Sequence, residues 1–356
     1  MATIKLRDRD AIFTREGLIF RVFGYSHPPK AFICDAEYAS AKVFTSNDPR
    51  APRTGGNQLF YKFYNDEGWN IVFNRFAQYT VFHEMLKQKV VGVNKGAVAE
   101  ARKPEQRLQA LIETAPKDEL HDAMQRVLNI ILERSSVSTA NFGVFGSMLH
   151  SFHHPKFSDI DLIVYGKKEN AKIRKTLAAL YADKQSGFRN EFDIDKAMEG
   201  KQWRFKDYSI KEFIWHQKRK QIYGLFNDAK SGRTIKTEFE PVKAWSEITT
   251  EYNSNTKITR KGWVRVNVHI TADSDAPFIP SVYGIKPLTV LSGTRKALEA
   301  TRVISYMEEF RAQAEKDETV CVEGNLEEVA TPKGNFHQIA LTYCPRYYEQ
   351  VLKVTV

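Results

Sequence analysis

Asn141 to Gly166 reads NFGVFGSMLHSFHHPKFSDIDLIVYG. An apolar run, Phe142 to Phe145, reaches Gly146-Ser147. Further on, Asp159 and Asp161 flank Ile160, and a second apolar run, Leu162 to Tyr165, ends at Gly166. This pattern predicts strand, tight turn, short helix, loop, strand. Side chains alternate along a strand, so Asp159 and Asp161 project from one face. Two carboxylates held side by side repel, and a stable arrangement needs a cation between them. Oxygen-only ligands at this spacing suit Mg²⁺ or Mn²⁺. Gly146-Ser147 falls where a strand gives way to a helix, where backbone N–H groups can hold a phosphate. A phosphate cradle facing a two-carboxylate metal site is equipment for phosphoryl or nucleotidyl transfer.

Taken singly, these features are ordinary. Asp-x-Asp is common and usually marks a solvated strand edge, and a lone Gly-Ser is usually a turn. Their order, spacing and flanking apolar runs make the combination specific. The stretch resembles the signature of the DNA polymerase beta-like nucleotidyltransferase superfamily: an apolar residue, Gly, Gly or Ser, a spacer of about ten residues, then Asp-x-Asp in an apolar strand. The matching residues are Phe145, Gly146, Ser147, Asp159 and Asp161. The wider context, with GYSHPPKAFICDAEY near the start, is similar to uncharacterised archaeal predicted nucleotidyltransferases.

The resemblance implies an α/β (α+β) nucleotidyltransferase core with a mixed sheet and helices. It implies that Asp159 and Asp161 bridge two Mg²⁺ ions, and that Gly146 and Ser147 hold the β- and γ-phosphates of an NTP. It also implies a third carboxylate on a neighbouring strand, which completes the catalytic ion and assists deprotonation of the acceptor hydroxyl. The candidates are Glu238 and Glu240, in Thr234 to Glu240 ahead of Pro241. Alternation puts both on one face. Glu238 is preferred, being inside the strand, with Glu240 as the alternative.

Composition sets the outer bounds. At 356 residues, with 42% hydrophobic and 27% charged residues, the chain reads as a soluble protein of two or three domains. A net charge of +10 suits a polyanionic partner such as RNA, and equally suits solubility alone. Cys34, Cys321 and Cys344 are scattered and form no zinc framework, which fits a reducing cytoplasm. MATIKLRDRD has no signal-peptide core, and no apolar run approaches the roughly 18 residues of a membrane span.

Three stretches follow from texture. Residues 1–95 read as a β-rich N-terminal domain, with a hairpin about Arg15-Glu16-Gly17, a third strand at Ala31 to Cys34, and a short helix within Phe76 to Val90. Residues 100–250 read as the nucleotidyltransferase domain. There Pro104 opens one helix, and Asp118 caps a second that runs to about Ser135, with Leu120, Met124, Val127, Leu128, Ile131 and Leu132 at helical spacing. Asn170 to Tyr181 reads as a further amphipathic helix. Residues 256–356 read as a C-terminal β-barrel or sandwich, led by the strictly alternating Trp263 to Ile270.

Two segments compete for attention. A second Asp-Ile-Asp, Asp193 to Asp195, lacks an upstream Gly-Ser and a following apolar run, and reads as a cap or loop. Residues 201–236 hold ten Lys or Arg against three Asp or Glu, interleaved with aromatics from Trp203 to Phe226. Arg219 and Lys220 are the candidates to clamp a triphosphate, against the alternative of a solvated helix face. The expected reaction is transfer of an NMP from an NTP, ATP included, to a hydroxyl with release of pyrophosphate. The acceptor is an RNA 3′ end, a protein side chain or a small molecule, with RNA preferred. The rival reading is a decayed nucleotidyltransferase fold kept as an RNA-binding scaffold.

Overall fold

A computed structural model describes residues 4–193, 198 and 204–355. Residues 194–197 and Trp203 therefore lie outside the described residues, and with them most of the second Asp-Ile-Asp. The expected three stretches group into two compact units. One comprises residues 1–83, 88–189 and 222–251; the other comprises 84–87, 190–221 and 252–356. The N-terminal β-rich stretch thus shares a unit with the nucleotidyltransferase core, while the cationic segment before residue 222 belongs with the C-terminal stretch.

In the first unit, a five-stranded sheet runs in the order Phe188–Asn190, Tyr223–Asp228, Arg233–Val242, Ile160–Tyr165, Phe142–Val144. Ile160–Tyr165 pairs in parallel with Arg233–Val242 and antiparallel with Phe142–Val144. One face is covered by two helices, Glu119–Ser135 and Lys167–Ala182. Asp118 caps the first by accepting from the Leu120 and His121 N–H groups, as its position before the apolar stripe predicts. Leu120, Met124, Val127, Leu128 and Ile131 of this helix are fully buried against Ile160, Leu162 and Val164 of the sheet. Each such side chain contributes roughly 1.5–3 kcal/mol of burial free energy. Pro104 stands at the start of Pro104–Ile112, where its missing N–H costs nothing.

The other face of Ile160–Tyr165 carries Asp161, Ile163 and Tyr165, and the N-terminal stretch lies over it. Arg7, Asp8, Arg9 and Asp10 are all buried. The Arg7 guanidinium sits 3.6 Å over the Tyr165 ring and 3.4 Å from Glu105. Behind them lies an eight-stranded sheet built on Ala31–Ser40. Two local expectations change here. Glu67–Arg75 is a helix the sequence pattern did not announce. Phe76 to Val90 is no helix but a 3₁₀ turn and a hairpin, Thr80–His83 with Gln88–Asn94. Short apolar runs fit either period, and pairing with Ala31–Ile33 decides for strand.

In the second unit, Lys257–Asp275, Ser281–Ser292, Ala300–Ser305, Gly334–Leu341 and Thr319–Thr331 pair in a ring, since the last also pairs with the first. This is a closed barrel, with Val351–Val354 added along Thr319–Thr331. Val264, Val266, Val268 and Ile270 fill its interior, as their alternation predicts. Leu298 to Gln313 supplies the end of the 3₁₀ turn Arg295–Glu299, the strand Ala300–Ser305 and the 3₁₀ turn Glu308–Phe310. Phe205 and Tyr208 are buried in the same core, and the helix Ile210–Arg219 follows them.

Candidate functional site

The site grows from one register. Across the parallel pair, Asp161 stands opposite Glu238, and Ile163 stands opposite Glu240. Asp159 precedes Asp161 by two residues and is exposed. The Gly-Ser turn closes onto the same point. The Phe145 N–H donates to the Asp161 carbonyl at 2.8 Å. Gly146 has φ +59°, and a Cβ there would collide with an Asp161 carboxylate oxygen. Only glycine satisfies both demands without strain. Gly146–Leu149 forms a single helical turn, and Ser147 is half-buried on it.

The electrostatics follow from this crowding. The Asp161 carboxyl is pushed up to about 8, first by burial, then by the charges of Glu238 and Asp159. Lys62, on the strand Gln58–Lys62 of the N-terminal sheet, opposes that rise. Glu238 Oε1 lies 2.7 Å from Lys236 Nζ, two residues back on the same strand face. Among the described residues, no three His, Cys, Asp or Glu side chains stand ready-made as a metal cage.

The two third-carboxylate candidates have different surroundings. Glu238 is half-buried beside Asp161. Glu240 is 4% exposed, and its Oε2 takes a 2.8 Å bond from Arg9 Nη2. Arg9 is itself buried and has φ +72°, a conformation non-glycine residues rarely hold. Its guanidinium also lies 5.3 Å over the Phe145 ring, next to the Gly-Ser turn. Glu240 therefore anchors the N-terminal stretch onto the sheet.

Arg219 and Lys220 lie in the second unit, and their charges are engaged there. Lys220 is fully buried, and its Nζ donates to the Glu309 carbonyl. Arg219 Nη2 lies 2.6 Å from Glu318 and 3.6 Å from Glu315. Asp193, the described end of the second Asp-Ile-Asp, pairs with Lys218. Among the described residues, Lys62 neighbours Asp161 and Lys236 neighbours Glu238, and sequence reasoning missed both. Lys236 was detectable, since period-two alternation from Glu238 reaches it. Lys62 has no local signal, because sheet pairing far along the chain delivers it.

Residues 124–222 match the model of the nucleotidyltransferase domain. The chain therefore carries a nucleotidyltransferase domain. The match spans Gly146, Ser147, Asp159 and Asp161 and ends before Glu238. The whole chain is also similar to an uncharacterised protein of Methanocaldococcus jannaschii, 25% identical over 354 residues and covering 99% of each chain. No solved structure matches. No helix among the described residues is long and apolar enough to cross a membrane.

Proposed function

We propose that the protein transfers an NMP from an NTP to a hydroxyl at an RNA 3′ end, with divalent-metal dependence and release of pyrophosphate. The observation that carries this reading is the placing of Glu238 directly across from Asp161, with Asp159 alongside and Gly146 against the Asp161 carboxylate. A divalent cation fits this donor set: three carboxylates supply only hard oxygen atoms, and burial, then the charges of Glu238 and Asp159, raises the Asp161 proton affinity. Mg²⁺ or Mn²⁺ is the ion of choice, and when bound it would draw the triphosphate and acceptor oxygens together and neutralise their charge.

The protein groups then divide the work. Asp159, Asp161 and Glu238 hold the cation. The Gly146-Ser147 backbone and the Ser147 hydroxyl hold the β- and γ-phosphates. A Glu238 carboxylate oxygen takes the proton from the acceptor hydroxyl, whose oxygen bonds to the α-phosphorus as the bond to the β-phosphate breaks. Lys62 and Lys236 replace Arg219 and Lys220 as the cations that neutralise the leaving pyrophosphate. The net charge of +10 supports RNA as the acceptor.

The test incubates the protein with Mg²⁺, total RNA and each α-labelled NTP in turn, beside an Asp161→Asn control. Label in RNA, matched by pyrophosphate and abolished by chelator and by the substitution, is expected. Label in protein instead would reassign the acceptor. No label in any pool, with RNA still bound, would favour the scaffold reading.

A further inference from the structure

A cavity of about 1220 Å³ opens in the first unit behind the Gly-Ser turn. Its walls come from both parts of that unit. The N-terminal sheet supplies the hairpin at Thr14–Gly17, the Ser40–Lys42 end of the long strand and the hairpin at residues 55–60. The core supplies the start of the helix Pro104–Ile112 and the segment Leu149–Phe152. Five cationic side chains line it, namely Arg15, Lys42, Arg102, Lys103 and Arg107, against Glu16 and Glu100.

These cations are not a random surface scatter. The Arg102 guanidinium lies 3.9 Å over the Phe13 ring, reaches the His150 carbonyl at 3.4 Å and pairs through Nε with Glu100 at 2.6 Å. Arg107 donates from Nε to the Met148 carbonyl at 3.1 Å and from Nη2 to Ser151 Oγ at 3.0 Å. Both arginines are therefore held in place by the segment that immediately follows Gly146-Ser147. Arg15 and Lys42 stand exposed at the rim. The wall between them is aromatic: Phe60 packs on Phe152 at 4.8 Å, and Phe152 and His150 both pack on Tyr38. His150 is buried, and neither ring nitrogen has a hydrogen-bond partner among the described residues. Burial and the nearby Arg102 keep it neutral at physiological pH. The wall Leu149–Phe152 continues the turn whose Gly146 abuts the Asp161 carboxylate, so the cavity adjoins the carboxylates through that turn.

Size and chemistry together select the occupant. Pockets for single small ligands run to about 1,000 Å³, and this cavity is larger. The rings are buried against one another, so a ligand meets chiefly the cations of the lining, and these suit the phosphate backbone of a strand. We infer that this cavity binds a short run of single-stranded RNA and seats the acceptor strand beside the catalytic carboxylates. The acceptor part of this assignment rests on the proposed transfer to RNA; the binding part does not.

The test uses the full chain and a fluorescein-labelled ten-nucleotide single-stranded RNA, with anisotropy followed across a NaCl series. Arg15→Ala/Lys42→Ala alters only exposed side chains, so the fold is retained. It should weaken RNA binding at least tenfold and reduce the slope of log affinity against log salt by about 1.4, two lost phosphate contacts at about 0.7 each. Binding of Mg²⁺-ATP should be unchanged. Asp161→Asn should bind the RNA like wild type. Equal RNA affinity and slope in wild type and the double variant would overturn the site, as would an RNA that fails to bind wild type at all. So would a poly-glutamate peptide that binds through Arg15 and Lys42 where RNA does not. If the double variant loses RNA binding but wild type transfers no NMP to RNA, the binding site stands and the proposed acceptor falls.

Discussion

The strand Ile160–Tyr165 and the helix Ile210–Arg219 are both marked by charge, and they use it in opposite ways. On the strand, Asp161 faces Glu238 and neighbours Asp159, so like charges are forced together. On the helix and the residue after it, Lys218, Arg219 and Lys220 each meet an oxygen acceptor in the same unit. Charge repulsion retained inside a folded protein is costly, and where it persists it points to a bound cation or a reaction. Within residues 201–236, the dense run Lys218 to Lys220 was therefore the more conspicuous signal, while the isolated Lys236 is the cation that stands beside Glu238.

Breaking the repelling cluster should have the largest effect. Asp161→Asn should lower NMP transfer roughly a thousandfold, about 4 kcal/mol in the barrier, while leaving the protein folded. The same variant tests the cluster without any assay of transfer. Folding raises the Asp161 carboxyl from 3.8 to about 8. The native state thus holds a proton that the unfolded state releases, and metal-free stability falls as pH rises through that window. Melting curves between pH 5 and 8 should show a steeper loss in wild type than in Asp161→Asn. Mg²⁺ should offset the loss in wild type. Identical pH slopes in the two proteins would mean that the carboxylates are not crowded.

Glu238 and Glu240 sharpen the contrast on one strand. Glu238→Gln should lower turnover about a hundredfold with NTP affinity nearly unchanged, since its role falls in the transition state. Glu240→Gln should leave turnover of the folded protein intact and lower stability by roughly 2 kcal/mol, because the buried Arg9 loses its 2.8 Å ion pair and keeps the longer one, 3.8 Å to Asp8. Urea denaturation and single-turnover kinetics on both variants separate these effects. A stable but inactive Glu240 variant would reverse the assignment.

Much of this was legible in the sequence, where the cause was local. Asp118 announced its helix by capping it, Ile160 to Tyr165 and Val264 to Ile270 read as strands from their alternation, and the expected barrel or sandwich is a barrel. What stayed hidden depends on distant pairing. Lys62 and Arg9 reach the site only because the N-terminal stretch packs on the sheet face that carries Asp161. Residues 1–95 are β-rich as their texture indicates, but nothing local shows that they complete the core's unit. The choice of Glu238 over Glu240 was reasoned from Pro241. Register and the Arg9 ion pair set the two glutamates apart, and neither is readable from one strand alone.

Ser147→Ala should cost less than the carboxylate substitutions. A hydrogen bond to a charged group is worth about 1.5–3 kcal/mol, so NTP affinity should fall at least about tenfold. Equilibrium titration of Mg²⁺-ATP checks this, and unchanged affinity would leave the backbone alone as the phosphate cradle.

The smallest effect is expected at Arg219, and it bears directly on the contrast between strand and helix. Its guanidinium pairs with Glu318 at 2.6 Å and lies 4.6 Å over the Trp215 ring. A partly exposed pair of this kind contributes about 0.2–1 kcal/mol. Arg219→Ala should therefore lower stability by no more than about 1 kcal/mol and change NTP affinity less than twofold. Lys236→Ala provides the counterpart. If Lys236 moves from Glu238 to the triphosphate when nucleotide binds, its loss should weaken NTP binding severalfold, and more strongly at low salt. Titrations of both variants in one buffer series decide the matter. A tenfold loss at Arg219 with none at Lys236 would return the triphosphate clamp to the helix and show that its paired charges are recruited on binding.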